Sequence, residues 1–387
     1  MTALPLDGTL VVAIEQAVAA PLATRQLADL GARVIKVEHP DGGDFARHYD
    51  STVRGLSSAF VWLNRGKQSV QLDLKSGPGQ AALRSMLSRA DVLVTNLSPR
   101  ALTGLDLTAK SLAGPYPSLV VCTVSGYSPD GPLADRKAYD ALIQAEAGLM
   151  SQTGTDDAPA KAGISVADIA AGSAALAGIL AALRHRDRTG EVLPVHVSLF
   201  GALTEWMCYP LYYTIHGGTA PVPMGTQHPT IAPYGAVRTV GGTRVMIAVQ
   251  NEREWRRLCT DVLQSASLLA DDRLSSNESR VSHRDYLEGQ LAAAVGGLTA
   301  EVLTGRLDRA GIAWSRLNGL ADIPGHPELA RDRQWLNTPT PAGDVRTLAP
   351  VGTPGGRYRE DGAVPALGEH TGAVLAEFAA PAREGVR

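Results

Sequence analysis

"TLVVAIEQAVAAPLATRQLADLGARVIKVE", Thr9–Glu38, decides the fold. Thr9–Ile14 is an apolar, β-branched run of the kind a strand shows when both its faces are covered. "PLATRQLADLG" follows as a helix, with Pro21 at its start and Gly31 at its end. "RVIKVE", Arg33–Glu38, then returns to a strand. The alternation continues outward. "SVQLDL" (Ser69–Leu74), "DVLVTNL" (Asp91–Leu97) and "LVVCTVSGY" (Leu119–Tyr127) read as strands, and "PGQAALRSMLSRA" (Pro78–Ala90) as a helix. Helices alternating with β-branched strands predict an open, mostly parallel, Rossmann-like α/β sheet covered on both faces.

From Tyr139 to about Arg184 the chain reads as helical, and "VLPVHVSLF" (Val192–Phe200) brings it back to the sheet. Composition shifts after residue 220. There, "MGTQHPTIAPYGAVRTVGGTRVMIAV" sets Gly241-Gly242 between two strand-like runs, a hairpin signal. Helical patterns follow in "EREWRRLCTDVL", "SHRDYLEGQLAAAVGGL" and "TAEVLTGRLDRAG". The expected organisation is a large α/β domain over 1–220 and a small α+β domain over 221–325. A C-terminal segment, 326–387, returns to the large domain.

The chain has 387 residues, 44% apolar and 19% charged, which fits a globular protein of more than one core. A net charge of −3 gives no general reason to expect a nucleic-acid partner or an anionic membrane surface. Cys122, Cys208 and Cys259 are far apart and odd in number, the pattern of reduced thiols in a cytoplasmic protein. "MTALPLDGTLVVAIEQAVAAPLATRQ" lacks a basic start, and Asp7 and Glu15 interrupt its apolar run, so it reads as turn, strand and helix, not as a signal peptide. No uninterrupted apolar stretch approaches about 18 residues, so no membrane span is expected.

Several common chemistries lack their motifs. No G-x-G-x-x-G follows the first strand, where "AIEQAVAAP" stands instead, and there is no G-x-x-x-x-G-K-[ST]. "TVSGYS" and "GISVA" both miss the spacing of a G-x-S-x-G elbow. The nine histidines show no metal-ligand spacing, so no metal is expected. One carboxylate stands out. "GISVADIAAG" (Gly163–Gly172) carries Asp168 in a small, apolar stretch leading into a helical run, Ser173–Leu183. A charge there is capped, paired or used, and an Asp at a helix start suits the positive end of the dipole.

Six blocks in order resemble the class III CoA-transferases, the family that also contains α-methylacyl-CoA racemases. They are "PLDGTLVVAIEQAVAAPLATRQLADLGARVIKVEHPDGGD", "LNRGKQSVQLDLKSGPGQ", "ADVLVTNLSPRAL", "SGYSPDGPLADRKAYDALIQAEAGLMSQTG", "GISVADIAAGSAALAGILAALRHRDRTGE" and "HPTIAPYGAVRT". The resemblance implies a homodimer of interlocked rings, with acyl-CoA and small carboxylic acids as substrates. It makes Asp168 the nucleophile that carries the acyl group as a mixed anhydride and CoA as a thioester.

The same resemblance supplies the other candidates. Gln16 is a donor near the reacting carbonyl, or a polar loop residue capping the next helix; where some transferases carry a glutamine, this chain has Val18. Val18, Ala19, His39, Leu72, Lys75, Asn96, Leu97 and Arg100 are implied cofactor contacts, with Lys137 and Tyr139 nearer the thioester. For Lys75 and Arg100 the competing reading is a solvated charge at a helix start, and for Tyr139 a core aromatic. Gln227, His228 and Tyr234 are candidates to line the acceptor pocket from the partner chain, and Arg47 to pair with a substrate carboxylate.

Racemases of the family place a histidine before the aspartate of a "GHD"-like block. Here "KAYDAL" has Tyr139 before Asp140. A phenol of pKa near 10 is a poor base at neutral pH, which favours transfer over racemisation. "AVQNERE" stands where racemases carry a small-domain glutamate, and "PMGTQHPTIAPYG" lacks the glycine run of some formyl-CoA transferases. A silent acyl-CoA-binding homologue is the third reading, and the retained Asp168 argues against it.

Overall fold

The computed structural model describes residues 3–155 and 157–379. Six parallel strands form the main sheet: β1 (Leu10–Ile14), β2 (Arg33–Glu38), β3 (Lys67–Gln71), β4 (Val92–Thr95), β5 (Val120–Ser125) and, after a two-residue hairpin of β6 (Gly154–Thr155) and β7 (Ala158–Pro159), β8 (Val195–Ser198). Their order is β3-β2-β1-β4-β5-β8. The order reverses at β1, so the chain leaves a crevice outside the carboxyl ends of β1 and β4, where open α/β sheets bind ligands. β3 starts two residues before the run that marks it in the sequence.

Alternation along each strand sends side chains to two cores. On one face Val11, Ala13, Val34 and Val94 pack with α1 (Ala19–Asp29) and α7 (Val166–Thr189) through Leu27, Ala171, Ala175 and Ile179. On the other, Val12, Ile35 and Leu93 meet α3 (Gly77–Leu87) and the helix Thr371–Ala379 through Leu83, Met86, Val374 and Phe378. α7 is long and apolar enough by composition to cross a membrane. Its residues Ala167, Ala170 and Ala182 are nonetheless part of the sheet's core. A Cβ at Gly172 would lie 2.6 Å from the Ala19 carbonyl, so glycine is what lets α7 approach the start of α1.

The helical reading of Tyr139–Arg184 is too long. α6 (Asp140–Glu146) is short, and α7 begins only at Val166, with the β6–β7 hairpin in between. Gly148 and Gly154, both at positive φ, turn the chain out of the helical path.

The described chain divides into two compact units. The first holds residues up to Leu149, Ala162–Tyr209 and the segment from Asp332 on; the second holds Met150–Lys161 and Pro210–Arg331. Segment 150–161 thus belongs to the second unit, whereas sequence places it in the large domain. Within the first unit the late segment is pinned to the sheet. The Gly368 N–H donates to Ser69 Oγ at 2.8 Å, and Arg33 forms a two-pronged pair with Glu377 at 2.7 Å each. The second unit has an antiparallel sheet of β9 (Tyr234–Arg238), β10 (Arg244–Ala248) and β11 (Ala313–Arg316). Gly241 and Gly242, at φ +81° and +88°, make the β9–β10 turn. Helices Arg284–Val295 and Ala300–Ala310 cover this sheet through Leu287, Leu291, Leu303 and Leu307.

Candidate active site

The site in the first unit grows from the turn after β1. Glu15 is fully buried there, a position that would be costly without partners. Lys67 Nζ lies 2.7 Å from its Oε1, Lys36 Nζ 3.4 Å, and Thr24 Oγ1 donates to Oε2 at 2.7 Å. Lys36 also meets Asp44 at 2.8 Å, giving two carboxylates and two ammonium groups that neutralise one another. Burial pushes the Glu15 carboxyl up, but Lys67 and Lys36 outweigh it and hold it below the usual carboxylate range. Burial brings the Lys67 ammonium down to about 8. A reading by motif misses this cluster. The available signal is Lys36 itself, a charge in the middle of the buried run "RVIKVE".

The cluster shapes the loop above it. Asn96 accepts the Gln16 N–H at 3.0 Å and donates Nδ2 to the Gln16 carbonyl at 2.7 Å. Its amide is therefore committed to the loop. The next residue, Ala17, has φ +63°. Val18 is the N-cap residue of α1, without a side-chain cap bond, so Gln16 does not cap this helix. Val18 and Ala19 are buried, Val18 packing with Leu22 and Leu63.

A cleft of about 390 Å³ opens beside this loop, lined by Gln16, His39, Leu72, Lys75, Leu97 and neighbours. Five sequence candidates thus share one cleft. His39 accepts the Asp41 N–H on Nδ1 at 3.0 Å, and Lys75 is exposed at the rim. Arg100 is exposed on α4 (Pro99–Gly104) and does not line the cleft. Arg47 is spent elsewhere: it forks onto Glu38 at 2.7 and 2.8 Å and lies over the Phe60 ring, so it is no partner for a substrate carboxylate.

Asp168 lies in the first turn of α7, after the N-cap residue Ser165. The cap comes from Asp140 at the start of α6 (Asp140–Glu146), whose Oδ1 accepts the Ala167 N–H at 2.8 Å and the Asp168 N–H at 3.4 Å. Gln144 holds the other Asp140 oxygen at 2.7 Å. Asp168 is thus not the cap itself. Its half-buried carboxylate has no hydrogen-bond partner among the described residues, and burial, with Asp140 beside it, raises its pKa to about 7. Ile169 and Ala17 both pack against the cluster of Val18, Leu22 and Leu63, so the loop and the Asp168 turn share one apolar patch. Tyr139 is 65% exposed, which rules out the core-aromatic reading, and Lys137 is exposed too. Tyr49 stands in the same region, its hydroxyl pKa raised by burial and by Asp44, Asp168 and Tyr139. In the second unit His228 stacks on Tyr234 with ring centres 5.2 Å apart, and Gln227 lies so close to Gly235 that a Cβ there would collide with it.

This arrangement offers an unpartnered, basic carboxylate joined through the Gln16–Val18 loop to a ligand-sized cleft. Groups of His, Cys, Asp and Glu able to hold a metal ion are absent among the described residues. Comparison with known proteins narrows the chemistry. The chain is 32% identical over 386 residues to succinate–glutarate CoA-transferase of Agrobacterium fabrum, covering 97% of this chain and 96% of that protein. It is equally 32% identical to acetyl-CoA:oxalate CoA-transferase of Acetobacter aceti, covering 97% and 96%. A CAIB/BAIF family protein from Brucella suis superposes with a TM-score of 0.86 at 30% identity, covering 97% of this chain and all of that one (100%). The profile of CoA-transferase family III spans residues 6–371, and to that family of enzymes this protein belongs.

Proposed function

We propose that the protein moves CoA from an acyl-CoA donor to a carboxylic acid through covalent intermediates on Asp168. The carrying observation is the unpartnered Asp168 carboxylate in the first turn of α7, with its raised basicity. It attacks the donor thioester carbonyl, the C–S bond breaks, and CoA leaves as thiolate from a mixed anhydride. The thiolate then attacks the aspartyl carbonyl, expelling the donor carboxylate and leaving an aspartyl-CoA thioester. The acceptor carboxylate repeats the two steps in reverse, and no water takes part. Splitting one exchange into reversible acyl transfers is covalent catalysis. The Gln16 side chain is the donor offered to the developing oxyanion, since the Gln16 and Ala17 N–H groups are already taken by Asn96 and Asp44, and the cleft holding His39, Leu72, Lys75 and Leu97 takes the nucleotide end of CoA.

Relatives named for succinate and glutarate, and for oxalate, favour a dicarboxylate acceptor with succinyl-CoA as donor. A panel of acyl-CoA donors and acids, read by mass spectrometry, is expected to show CoA exchange with at least one dicarboxylate. Hydroxylamine should trap the acyl-enzyme on Asp168; the absence of both exchange and adduct would end the transferase reading. Asp168 must be ionised to attack. With a pKa of about 7, kcat/KM should rise roughly tenfold between pH 6 and pH 8. A profile flat across that range would show that Asp168 titrates elsewhere.

A carboxylate of pKa near 7 beside a second one also suits proton abstraction, which keeps α-methylacyl-CoA racemisation as the alternative. Incubation of an α-methylacyl-CoA in deuterium oxide without acceptor decides. Transfer predicts exchange no faster than buffer, and fast α-deuteration would make the protein a racemase.

The Rossmann-like reading of the sheet has support in its strand order, and the interlocked homodimer in its surface. Trp206, Tyr209, Leu211, Tyr212, Tyr213 and Ile215 are all exposed on α8 (Leu199–Trp206) and α9 (Cys208–Gly217), an apolar run that a second copy would cover. Interlocked rings separate only if a chain opens, so light scattering should find the dimer intact after long dilution. A stable, active monomer would contradict this. The unpaired thiols of Cys122, Cys208 and Cys259 fit a cytoplasmic setting.

A further inference from the structure

The loop that abuts the nucleophile is held in a conformation its own residues do not favour. Ala17 has φ +63°, the left-handed region that alanine rarely adopts. Two buried or half-buried side chains enforce it from opposite sides. Asn96 clamps both the N–H and the carbonyl of Gln16, at 3.0 and 2.7 Å. Asp44 accepts the Ala17 N–H on Oδ1 at 3.0 Å. The same oxygen accepts the Ala46 N–H at 2.9 Å, while Oδ2 takes the Lys36 ammonium at 2.8 Å. Asp44 is itself anchored, its N–H donating to Glu38 Oε2 at 3.0 Å. Glu38 in turn is fastened by Arg47 at 2.7 Å and Ser69 at 2.6 Å. Asp44 is almost fully buried at the edge of the cleft, and both its oxygens are committed to Ala17, Ala46 and Lys36, so its carboxylate serves this arrangement.

We infer that Asp44 is a positioning residue for CoA transfer: through the Ala17 N–H it holds the Gln16–Val18 loop in register with the turn that carries Asp168. The inference rests on the transferase reading above. Ala17 and Ile169, the latter next in the chain to Asp168, both pack against the small cluster of Val18, Leu22 and Leu63, so a shift of the loop is passed to the turn that carries the reacting group. Misplacements of about 1 Å can cost on the order of 100-fold in rate. Strain kept at such a place is a common feature of sites that must be preorganised.

Asp44→Asn keeps the shape but weakens the hold on Ala17 and Lys36. It is expected to lower kcat 10- to 100-fold while the KM for the acyl-CoA stays within about threefold. Amide exchange in the peptide covering residues 14–22 should quicken. Glycine adopts positive φ readily, so Ala17→Gly in the Asp44→Asn background should restore kcat to within about threefold of wild type. Where Asp44→Asn does not fold, Ala17→Pro serves: it forces φ to about −65°, deletes the N–H, and should give the same fall in kcat. A folded Asp44→Asn enzyme with kcat within twofold of wild type would overturn the inference, as would a loss that Ala17→Gly leaves in place. Those outcomes leave wild-type turnover untouched, whereas a wild type that exchanges no CoA at all sinks the transferase reading itself.

Discussion

Asp168→Ala is expected to abolish CoA transfer, lowering kcat by at least about 10⁴-fold, as removal of a nucleophile does when nothing nearby can replace it. Asp140 does not substitute, because both its oxygens are committed, one to the first N–H groups of α7 and the other to Gln144. CoA affinity, read by calorimetry with free CoA, should stay within about threefold, since the cleft lining lies elsewhere. Near wild-type turnover in this variant would exclude the covalent mechanism. Asp168→Asn carries a second expectation. The folded protein binds this proton more tightly than the unfolded chain, so stability from the group is full below about pH 4 and falls as pH rises through about 7. Removing the charge should therefore raise the melting temperature at pH 8 and change it little at pH 4. After discounting for its partial exposure, the gain is about 2 kcal/mol.

Glu15→Ala is expected to destabilise the first unit by about 3–5 kcal/mol, the usual cost of leaving a buried charge without its partner. Lys67 would keep only the Pro21 carbonyl at 3.0 Å and Asn64 at 3.1 Å, and Lys36 would keep Asp44. The double change Glu15→Leu with Lys67→Met should cost less than the single one, because no orphaned ammonium remains. Urea unfolding of the three proteins measures both numbers. A single variant within about 1 kcal/mol of wild type would mean that water or a rearranged lysine compensates.

The fold was legible wherever burial follows from local pattern. Val11–Ile14 and Val92–Val94 read as covered strands because a parallel sheet hides both faces and leaves continuous apolar runs. Asp168 was legible only through the family's blocks: its immediate neighbours equally suit a cap, and the actual cap, Asp140, comes from 28 positions earlier. Distance in sequence also hides Asn96, which stands 80 positions from the Gln16 peptide it clamps. The buried quartet of Glu15, Lys36, Asp44 and Lys67 shows the point most fully. Apart from Lys36 in its apolar run, each charge looks like an ordinary surface residue until the sheet brings the segments together. The over-long helix from Tyr139 fails for a different reason. Its composition is helical, but Met150–Lys161, most of the chain between Glu146 and Val166, belongs to the other compact unit, and no local propensity reports that.

That division has a consequence for how the polypeptide is made. The first unit is assembled from three stretches, and the last begins only at Asp332. As the chain emerges from the ribosome, N-terminus first, β1 to β5 are synthesised long before the helix that seals their second face through Val374 and Phe378. Ile35 and Leu93 therefore spend the time needed to translate most of the chain against an unfinished cover. The nascent molecule must keep this face from its neighbours until Thr371–Ala379 has been made. Its yield in a crowded cell is set by that interval as much as by the stability of the finished fold.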